Sequence, residues 1–406
     1  MAVGEYSFPS MPALTGVRLA TTSAGIKKPG RQDLVLIELA EGTRTAGVFT
    51  RNAFCAAPVT LCREYLKQSR PRFLVINSGN ANACTGERGR RDAIATSSAV
   101  ARLASVMTEQ VLPFSTGVIG EPLPLKKIEG ALPSAYEALS DNGWEAAAKA
   151  IMTTDTRPKG FTGTVEHEGN TVTVNGIAKG AGMIRPNMGT MLAYIATDAD
   201  IAQTVLEDLC KEAANRSFNR ITIDGDTSTN DACVLMATGT SAAPLIEKPV
   251  GELYEKVRAL VIEAHEYLAK CIVADGEGAT KFVTLEISGG ANDDECLQVG
   301  YAVAHSPLIK TALFACDPNW GRIVAAVGYA GVSGLDPSKV CIQLNDTVIV
   351  ENGARAESYT EEQGQAVMDG EEIAIRIHLG RGDARQRLWT TDLSHEYVRI
   401  NADYRS

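Results

Sequence analysis

The sequence predicts an α+β fold in which stacked β-sheets are flanked by helices, as a four-layer αββα-like core with a smaller C-terminal α/β domain. β-rich and helix-period segments alternate along the 406 residues without an internal repeat. Strands fall before, between and after the helices, an order that fits stacked sheets better than a regular βαβ succession. The mix of elements changes near Lys281, so we place a boundary between domains at 1–280 and 281–406.

The N-terminal half supplies strands first and helices second. Residues 33–50 contain two β-rich runs around a Glu-Gly turn, and residues 72–79 form a short buried strand. Ala-rich segments with helical periodicity follow at 90–107 and 142–152. Residues 161–184 return to alternation, with turn signals at Glu168-Gly169-Asn170 and at Asn175-Gly176.

The run MLAYIAT at 191–197 is apolar without alternation, which is typical of a strand covered on both faces, although its length does not exclude a helix. We expect a helix after an N-cap at Asp200 and a longer one over 250–273, ending at DGEG. Beyond 281 the pattern predicts a strand at FVTLEIS, a helix over 293–314, and strands at VCIQLNDTVIV and EIAIRIHL.

The composition favours a protein that handles small molecules. A formal net charge of −10 argues against nucleic acid or an anionic membrane as the main partner. The N-terminal segment has no signal-peptide pattern, and no apolar run approaches the about 18 residues of a membrane helix, so we expect a cytoplasmic protein. The nine cysteines are scattered without a C-x-x-C pair, which indicates reduced thiols rather than a zinc site.

Several common motifs fail on inspection. Neither phosphate-cradling glycine motif is present, and the five histidines are dispersed. The loop DGDTSTND at 224–231 resembles a calcium loop, but it has Thr229 where glycine is needed and Leu235 where the bidentate glutamate belongs. A calcium-binding protein is therefore the weakest alternative, and we expect no metal.

The pair Gly189-Thr190 stands directly before the apolar run at 191–197. A threonine hydroxyl needs a base to become a nucleophile, and the α-amine of an N-terminal threonine, with a pKa of about 7.7 to 8.0, supplies one. Cleavage between Gly189 and Thr190 would create that amine, and glycine gives the backbone freedom that self-cleavage requires. The alternative is a glycine-containing loop that enters a buried strand, and on this feature alone it carries more weight.

The chain nevertheless resembles the ornithine acetyltransferase family, whose enzymes move an acetyl group from N-acetylornithine to glutamate in arginine biosynthesis. The resemblance is nearly full length and rests on ten blocks in order: TSAGIKKPGRQDL, AGVFTRNAFCAAPV, INSGNANACTG, STGVIG, IMTTDT, KGAGMIRPNMGTMLAYIATDA, RITIDGDTSTNDA, DGEGATK, DPNWGRI and RINADYRS. One departure is visible, since members commonly have alanine where this chain has Gly189. Glycine is at least as small and more flexible.

The resemblance implies a role for each matching residue. Thr190 becomes the nucleophile, and cleavage at Gly189-Thr190 yields chains 1–189 and 190–406 that stay together as a heterotetramer of two of each. Thr116 and Gly117 become the oxyanion site. The implied substrate contacts are Thr153, Lys179, Thr190, Glu277, Asn401 and Ser406, with the C-terminal tail returning to the active site.

The same resemblance implies N-acetylornithine and glutamate as substrates, no cofactor, and acetyl-CoA as a possible co-substrate in bifunctional members. Lys179 suits the α-carboxylate that both substrates share, and Glu277 suits the ornithine ammonium group. Structural alternatives stay open at this point: a solvated turn lysine at 179, a helix-end carboxylate at 277, and frayed-tail residues at 401 and 406.

Two other functions remain as alternatives. A hydrolase with the same self-cleaved threonine would pass its acyl group to water, and product analysis with and without glutamate separates it from a transferase. A non-catalytic small-molecule-binding protein would keep Thr190 as a structural residue in an intact chain.

Overall fold

The computed structural model of the chain describes residues 2–185 and 191–403. The strands are β1 (Val17–Thr22), β2 (Leu34–Leu39), β3 (Arg44–Phe49), β4 (Phe73–Asn80), β5 (Val111–Val118), β6 (Lys159–His167), β7 (Asn170–Lys179), β8 (Leu192–Thr197), β9 (Ala232–Ala237), β10 (Phe282–Gly290), β11 (Cys341–Leu344), β12 (Thr347–Glu351), β13 (Ala354–Arg355), β14 (Glu372–His378) and β15 (Ala384–Thr391).

The helices are α1 (Ala57–Gln68), α2 (Gly86–Ala104), α3 (Leu125–Glu137), α4 (Trp144–Ala150), α5 (Gln203–Arg216), α6 (Glu252–Ala274), α7 (Asp293–Ala304), α8 (Pro307–Phe314), α9 (Trp320–Tyr329), α10 (Glu361–Met368) and α11 (His395–Ala402). Short 3-10 turns occupy Thr108–Gln110, Phe218–Arg220 and Pro337–Lys339. No helix in the described ranges is both long enough and apolar enough to span a membrane.

The chain divides into two compact units. The larger unit contains residues 7–219 and 227–272, and the smaller unit contains the described residues of 1–6, 220–226 and 273–406. A simple division of the chain at 280/281 stays a prediction.

Two sheets stack face to face in the larger unit. One has the strand order β1-β2-β4-β5 and the other β3-β9-β8-β7-β6. A single hydrophobic cluster lies between them, to which the first sheet gives Ile37 and Phe114 and the second gives Tyr194 and Val234. The rings of Phe114 and Tyr194 meet edge to face with centroids 5.3 Å apart. This inner core fixes the ends of the strands that carry the polar residues described below.

Helices cover the outer faces of both sheets. In β2, Val35 and Ile37 point into the inner cluster, whereas Leu34 and Leu36 belong to a second cluster with residues of α2 and α3. On the other side, α5 packs on β3 and β9, and α6 lies against β7. The predicted four-layer αββα arrangement is therefore confirmed, and its doubly covered strands explain why their sequences are apolar without alternation.

The smaller unit is an α/β layer. Its mixed sheet has the order β13-β12-β11-β14-β10-β15, in which β10 pairs parallel with β14 and antiparallel with β15. Val283, Leu285 and Ile287 of β10 are buried against a cluster that includes residues of α7 and α9, while the alternate residues of the strand are half-buried. This arrangement confirms the predicted smaller α/β part of the fold.

Three local predictions are wrong, each for a physical reason. Asn175-Gly176 is not a turn, because it lies inside β7, where a Cβ on Gly176 would sit 3.1 Å from Cδ1 of Leu268. Close packing selects glycine there. Asp200 is not the N-cap of α5, which begins three residues later after Ala202; its carboxylate instead pairs with Arg44.

The third error concerns the helix expected over 293–314. It is two helices, α7 and α8, which meet at His305 and Ser306. The Oγ of Ser306 caps α8 by accepting a hydrogen bond from the Ile309 amide, and Pro307 occupies the first turn, where its missing N–H costs nothing.

Candidate active site

Lys179 joins two other predicted site residues in the larger unit. It is the last residue of β7 and only 3% exposed, which rules out a solvated turn lysine. Its Nζ donates hydrogen bonds to Oγ1 of Thr116 at 2.9 Å and to Oγ1 of Thr153 at 3.1 Å. Three residues from distant parts of the sequence thus meet at one buried ammonium group.

Thr116 and Gly117 lie where β5 ends beside the parallel strand β4. Gly117 has a φ of +133°, and a Cβ added there would lie 2.3 Å from the carbonyl carbon of Gly79 and 2.5 Å from the amide nitrogen of Asn80. A non-glycine residue does not fit this close approach of two backbones. Gly117, the first glycine in STGVIG, is therefore required by packing at the carboxyl ends of β4 and β5, next to Thr116.

A buried carboxylate organises the loop that carries Thr153. Oδ1 of Asp155 accepts hydrogen bonds from Nζ of Lys159 at 2.6 Å and from the Gly180 amide at 2.7 Å, and Oδ2 accepts from the Thr153 amide at 3.0 Å. Burial alone would raise the pKa of Asp155, but the charges of Lys159 and Lys179 outweigh it and hold that pKa well below its usual range. Asp155 is consequently ionised, and it ties Thr153 to the chain just beyond Lys179.

We expect Asp155→Asn to destabilise the protein by about 3–5 kcal/mol near neutral pH, because Lys159 then stays buried without its carboxylate. The folded-state pKa of Asp155 is depressed from 3.8, so its contribution is present above about pH 4 and is lost as the pH falls further. Urea unfolding across this range should show a gap between wild type and variant that is constant at higher pH and narrows in acid.

The exposed pair Lys149 and Glu145 has the same i,i+4 spacing and serves as the control. Glu145→Gln should change stability little at any pH, because exposed ion pairs contribute weakly. Equal stabilities of wild type and Asp155→Asn at neutral pH would contradict this interpretation of the buried pair.

Gly189 and Thr190 lie outside the described residues, so the structure gives no geometry for the predicted nucleophile. The described chain resumes at Met191, immediately before β8. The Met191 amide donates to Oδ1 of Asp231 at 3.0 Å, and its carbonyl accepts from the Ala232 amide at 3.1 Å. The residue that follows Thr190 is therefore held at both its backbone groups.

Glu277 and Asn401 meet in the smaller unit. Nδ2 of Asn401 donates to Oε2 of Glu277 at 2.7 Å, with Glu277 only 8% exposed and Asn401 on the surface. Asn401 belongs to α11, whose N-cap residue Ser394 donates from Oγ to the Gly278 carbonyl at 2.6 Å. Asn401 is thus part of a capped helix rather than a frayed tail, while Ser406 lies outside the described residues.

Sequence reasoning gave no catalytic or substrate-binding role to two further polar residues, although both lie within the recognised blocks. Nδ2 of the buried Asn230 donates to the carbonyls of Ala81, at 2.6 Å, and Ser115, at 2.9 Å, and so fixes the backbone directly before Thr116. Asp231 is the acceptor for the Met191 amide. The available signal was their position: both are polar residues directly before the wholly apolar run of β9.

The described residues contain no group of three or more His, Cys, Asp or Glu side chains that is arranged to hold a metal ion. What they do hold is a buried cation among hydroxyl groups beside a close glycine backbone, and a carboxylate paired with an amide. In the larger unit, the buried ammonium group of Lys179 suits recognition of a carboxylate by a charge-assisted hydrogen bond.

Comparison with known proteins places the chain in a family. Residues 18–406 match the family model described as the ArgJ family, and the chain belongs to that family. It is 60% identical over all 406 residues, covering both chains completely, to the arginine biosynthesis bifunctional protein ArgJ of Pseudomonas fluorescens. The predicted function is confirmed at this level: the chain is an acetyltransferase of arginine biosynthesis.

Two solved structures of relatives also match. The arginine biosynthesis bifunctional protein ArgJ of Bacillus halodurans is 36% identical, with a TM-score of 0.49, over 50% of this chain and 95% of that one. An ornithine acetyltransferase of Mycobacterium tuberculosis, crystallised with ornithine, is 36% identical, with a TM-score of 0.38, over 43% of this chain and 93% of that one.

Proposed function

We propose that this enzyme cleaves its own chain between Gly189 and Thr190 and then carries acetyl from N-acetylornithine to glutamate on the Thr190 hydroxyl. The observation that carries the proposal is the buried ammonium group of Lys179, which joins Thr116 and Thr153. The ten sequence blocks and membership of the ArgJ family support it. The sequence has none of the common serine-nucleophile or metalloprotease motifs, so Thr190, with its own α-amine as the base, is the proposed nucleophile.

Lys179 is the proposed anchor for the α-carboxylate that both substrates share. Its buried ammonium group donates hydrogen bonds to the hydroxyl groups of Thr116 and Thr153, and its charge also acts on the carboxyl groups of Asp155 and Asp231. An ammonium group in a water-poor environment binds a carboxylate by a strong charge-assisted hydrogen bond. The hydroxyl groups of Thr116 and Thr153 both lie within hydrogen-bond distance of the same ammonium group.

In the first half-reaction, the free α-amine of Thr190 takes the proton of its own hydroxyl, and Oγ1 attacks the acetyl carbonyl carbon. The new C–O bond yields a tetrahedral oxyanion. Thr116 and Gly117 are the proposed donors to that oxygen, and such donors are worth roughly 3–4 kcal/mol each. The C–N bond then breaks, and ornithine leaves with the proton on its α-amine.

In the second half-reaction, the α-amine of glutamate attacks the acetyl-threonine ester. A C–N bond forms, the C–O bond breaks, and the Thr190 hydroxyl recovers its proton. The cycle is balanced without a redox partner, so we propose that the enzyme needs no metal or organic cofactor. Acetyl-CoA is the proposed alternative acetyl donor, because the relative from Pseudomonas fluorescens is a bifunctional protein of arginine biosynthesis.

The remaining proposals rest on the family resemblance. Glu277, Asn401 and Ser406 are proposed substrate contacts, with Glu277 meeting the ornithine ammonium group. The chains 1–189 and 190–406 are proposed to stay together as a heterotetramer of two of each, in the cytoplasm.

The test of the proposed reaction is product analysis with labelled N-acetylornithine, with and without glutamate. We expect labelled N-acetylglutamate to form only when glutamate is present. Release of labelled acetate at the same rate under both conditions would instead identify a hydrolase.

We expect Lys179→Met to raise KM for both N-acetylornithine and glutamate roughly 10- to 100-fold, the loss associated with a hydrogen bond to a charged group. The α-carboxylate is bound equally in the ground and transition states, so kcat should change much less. Lys149→Met, which removes an exposed lysine from the helix before Thr153, should leave both constants unchanged. An unaltered KM in Lys179→Met would contradict the anchoring role.

A further inference from the structure

The buried carboxyl group of Asp231 binds the backbone of Met191, the residue that directly follows the proposed nucleophile Thr190. It is 1% exposed, and its Oδ1 accepts the Met191 amide hydrogen at 3.0 Å. Its own carbonyl accepts from the Thr50 amide at 3.0 Å, and the following residue, Ala232, donates to the Met191 carbonyl. Asp231 is therefore hydrogen-bonded through its backbone to Thr50, the residue after β3, and through its side chain to Met191.

The second carboxyl oxygen of Asp231 has no hydrogen-bond partner among residues 2–185 and 191–403. Burial raises the pKa of Asp231 well above 3.8, and the opposing effects of the Met191 N–H, the charge of Lys179 and the Thr50 and Ser228 side chains do not offset it. A carboxyl group retains an oxygen that can accept the Met191 hydrogen bond whether or not it carries a proton. A primary amide at this position would offer the same acceptor.

The peptide unit that joins residues 190 and 191 is planar, so its atoms from one Cα to the next move as one body. Restraint of the Met191 N–H therefore limits how this peptide unit can move. After self-cleavage, residue 190 becomes a chain end and loses the restraint of the preceding peptide bond. Anchoring on the remaining side then matters more, because a misplacement of about 1 Å can cost a hundredfold in rate.

We propose that Asp231 is a positioning residue, which fixes the peptide bond after Thr190 and thereby aims the Thr190 hydroxyl in self-cleavage and in acetyl transfer. This inference rests on the proposed function of Thr190. The alternative role for Asp231 is that of a charged group or proton acceptor, and the two roles predict opposite behaviour when the carboxyl group is replaced by an amide.

The experiment compares Asp231→Asn and Asp231→Ala with Asp198→Ala. Asp198 is a matched control, since it follows the other end of β8 and its Oδ1 accepts the Thr173 amide at 2.7 Å. The measurements are the half-time of chain cleavage by intact mass, kcat and KM of the cleaved enzyme, the pH profile of kcat, and the thermal midpoint.

We expect Asp231→Ala to slow cleavage and lower kcat roughly 10- to 100-fold, the effect of losing one strong buried hydrogen bond, with KM unchanged. Asp231→Asn should restore both rates to near the wild-type values and keep the wild-type pH profile. Asp198→Ala should lower the thermal midpoint while leaving both rates intact.

Wild-type rates in Asp231→Ala would overturn the inference, and so would an Asn variant as slow as the Ala variant. If Asp231→Ala does not fold, Asp231→Asn and Asp231→Glu decide: positioning requires an active Asn and a slow Glu variant, because Glu displaces the acceptor by one methylene group. A slow Asp231→Asn variant, or an Asp231→Glu variant that is as fast as wild type, overturns the inference. Transfer activity in Thr190→Ala would instead mean that the proposed function itself had failed.

Discussion

Thr190→Ala should accumulate as one uncleaved chain with no acetyl transfer activity. The variant lacks the hydroxyl that attacks the Gly189 carbonyl, and without cleavage no α-amine forms at residue 190 to act as the base. Gel mobility under denaturing conditions measures chain cleavage, and formation of N-acetylglutamate from N-acetylornithine measures acetyl transfer. Both should fall to background, because nucleophile and base are lost together.

Thr190→Ser is the matched control, since it keeps a hydroxyl on the same carbon. It should still cleave and should retain measurable transfer. A Thr190→Ala protein that is cleaved, or that transfers acetyl at a rate close to wild type, contradicts the mechanism. Inactivity of the Ala variant together with full stability would exclude simple misfolding as the cause.

The second large effect is expected for Gly117→Ala. A methyl group there would lie 2.3 Å from the carbonyl carbon of Gly79, on a backbone with a φ of +133°. Overpacking and a disfavoured backbone together should cost about 2–6 kcal/mol of stability. The shift of the strand ends should also displace the proposed oxyanion donors, so kcat should fall by roughly a hundredfold or more.

Gly120→Ala separates the two causes. Gly120 also has a positive φ, +84°, but a Cβ there meets no atom within 4 Å. Its substitution should cost only the backbone strain, about 1 kcal/mol or slightly more, and should leave kcat unchanged. Urea unfolding and steady-state kinetics on the two variants give the comparison; equal losses in both would refute the steric account of Gly117.

The sequence carried enough information for the layers of the fold. MLAYIAT is apolar at every position because β8 is covered on both faces, and 33–50 split correctly into β2 and β3 around its Glu-Gly turn. The sequence pattern gave a wrong prediction where close packing, rather than a turn, requires the residue. Gly176 resembles a turn glycine in sequence, but its small size serves close packing inside β7.

The site was harder to predict from the residues alone. Thr116, Thr153 and Lys179 are far apart in sequence, and only the stacking of two separate sheets brings them to one point. Nothing in local periodicity shows that Lys179 is buried. The family blocks identified these residues, whereas the part played by Asp155 became visible only from its hydrogen bonds and burial.

The most direct test of the account is the intact mass of the purified protein under denaturing conditions, with N-terminal sequencing of any second fragment. We predict two chains, of which the second begins Thr190-Met191-Leu192. A single chain near 43.2 kDa that stays intact on incubation would leave Thr190 without its base and would contradict the proposed mechanism.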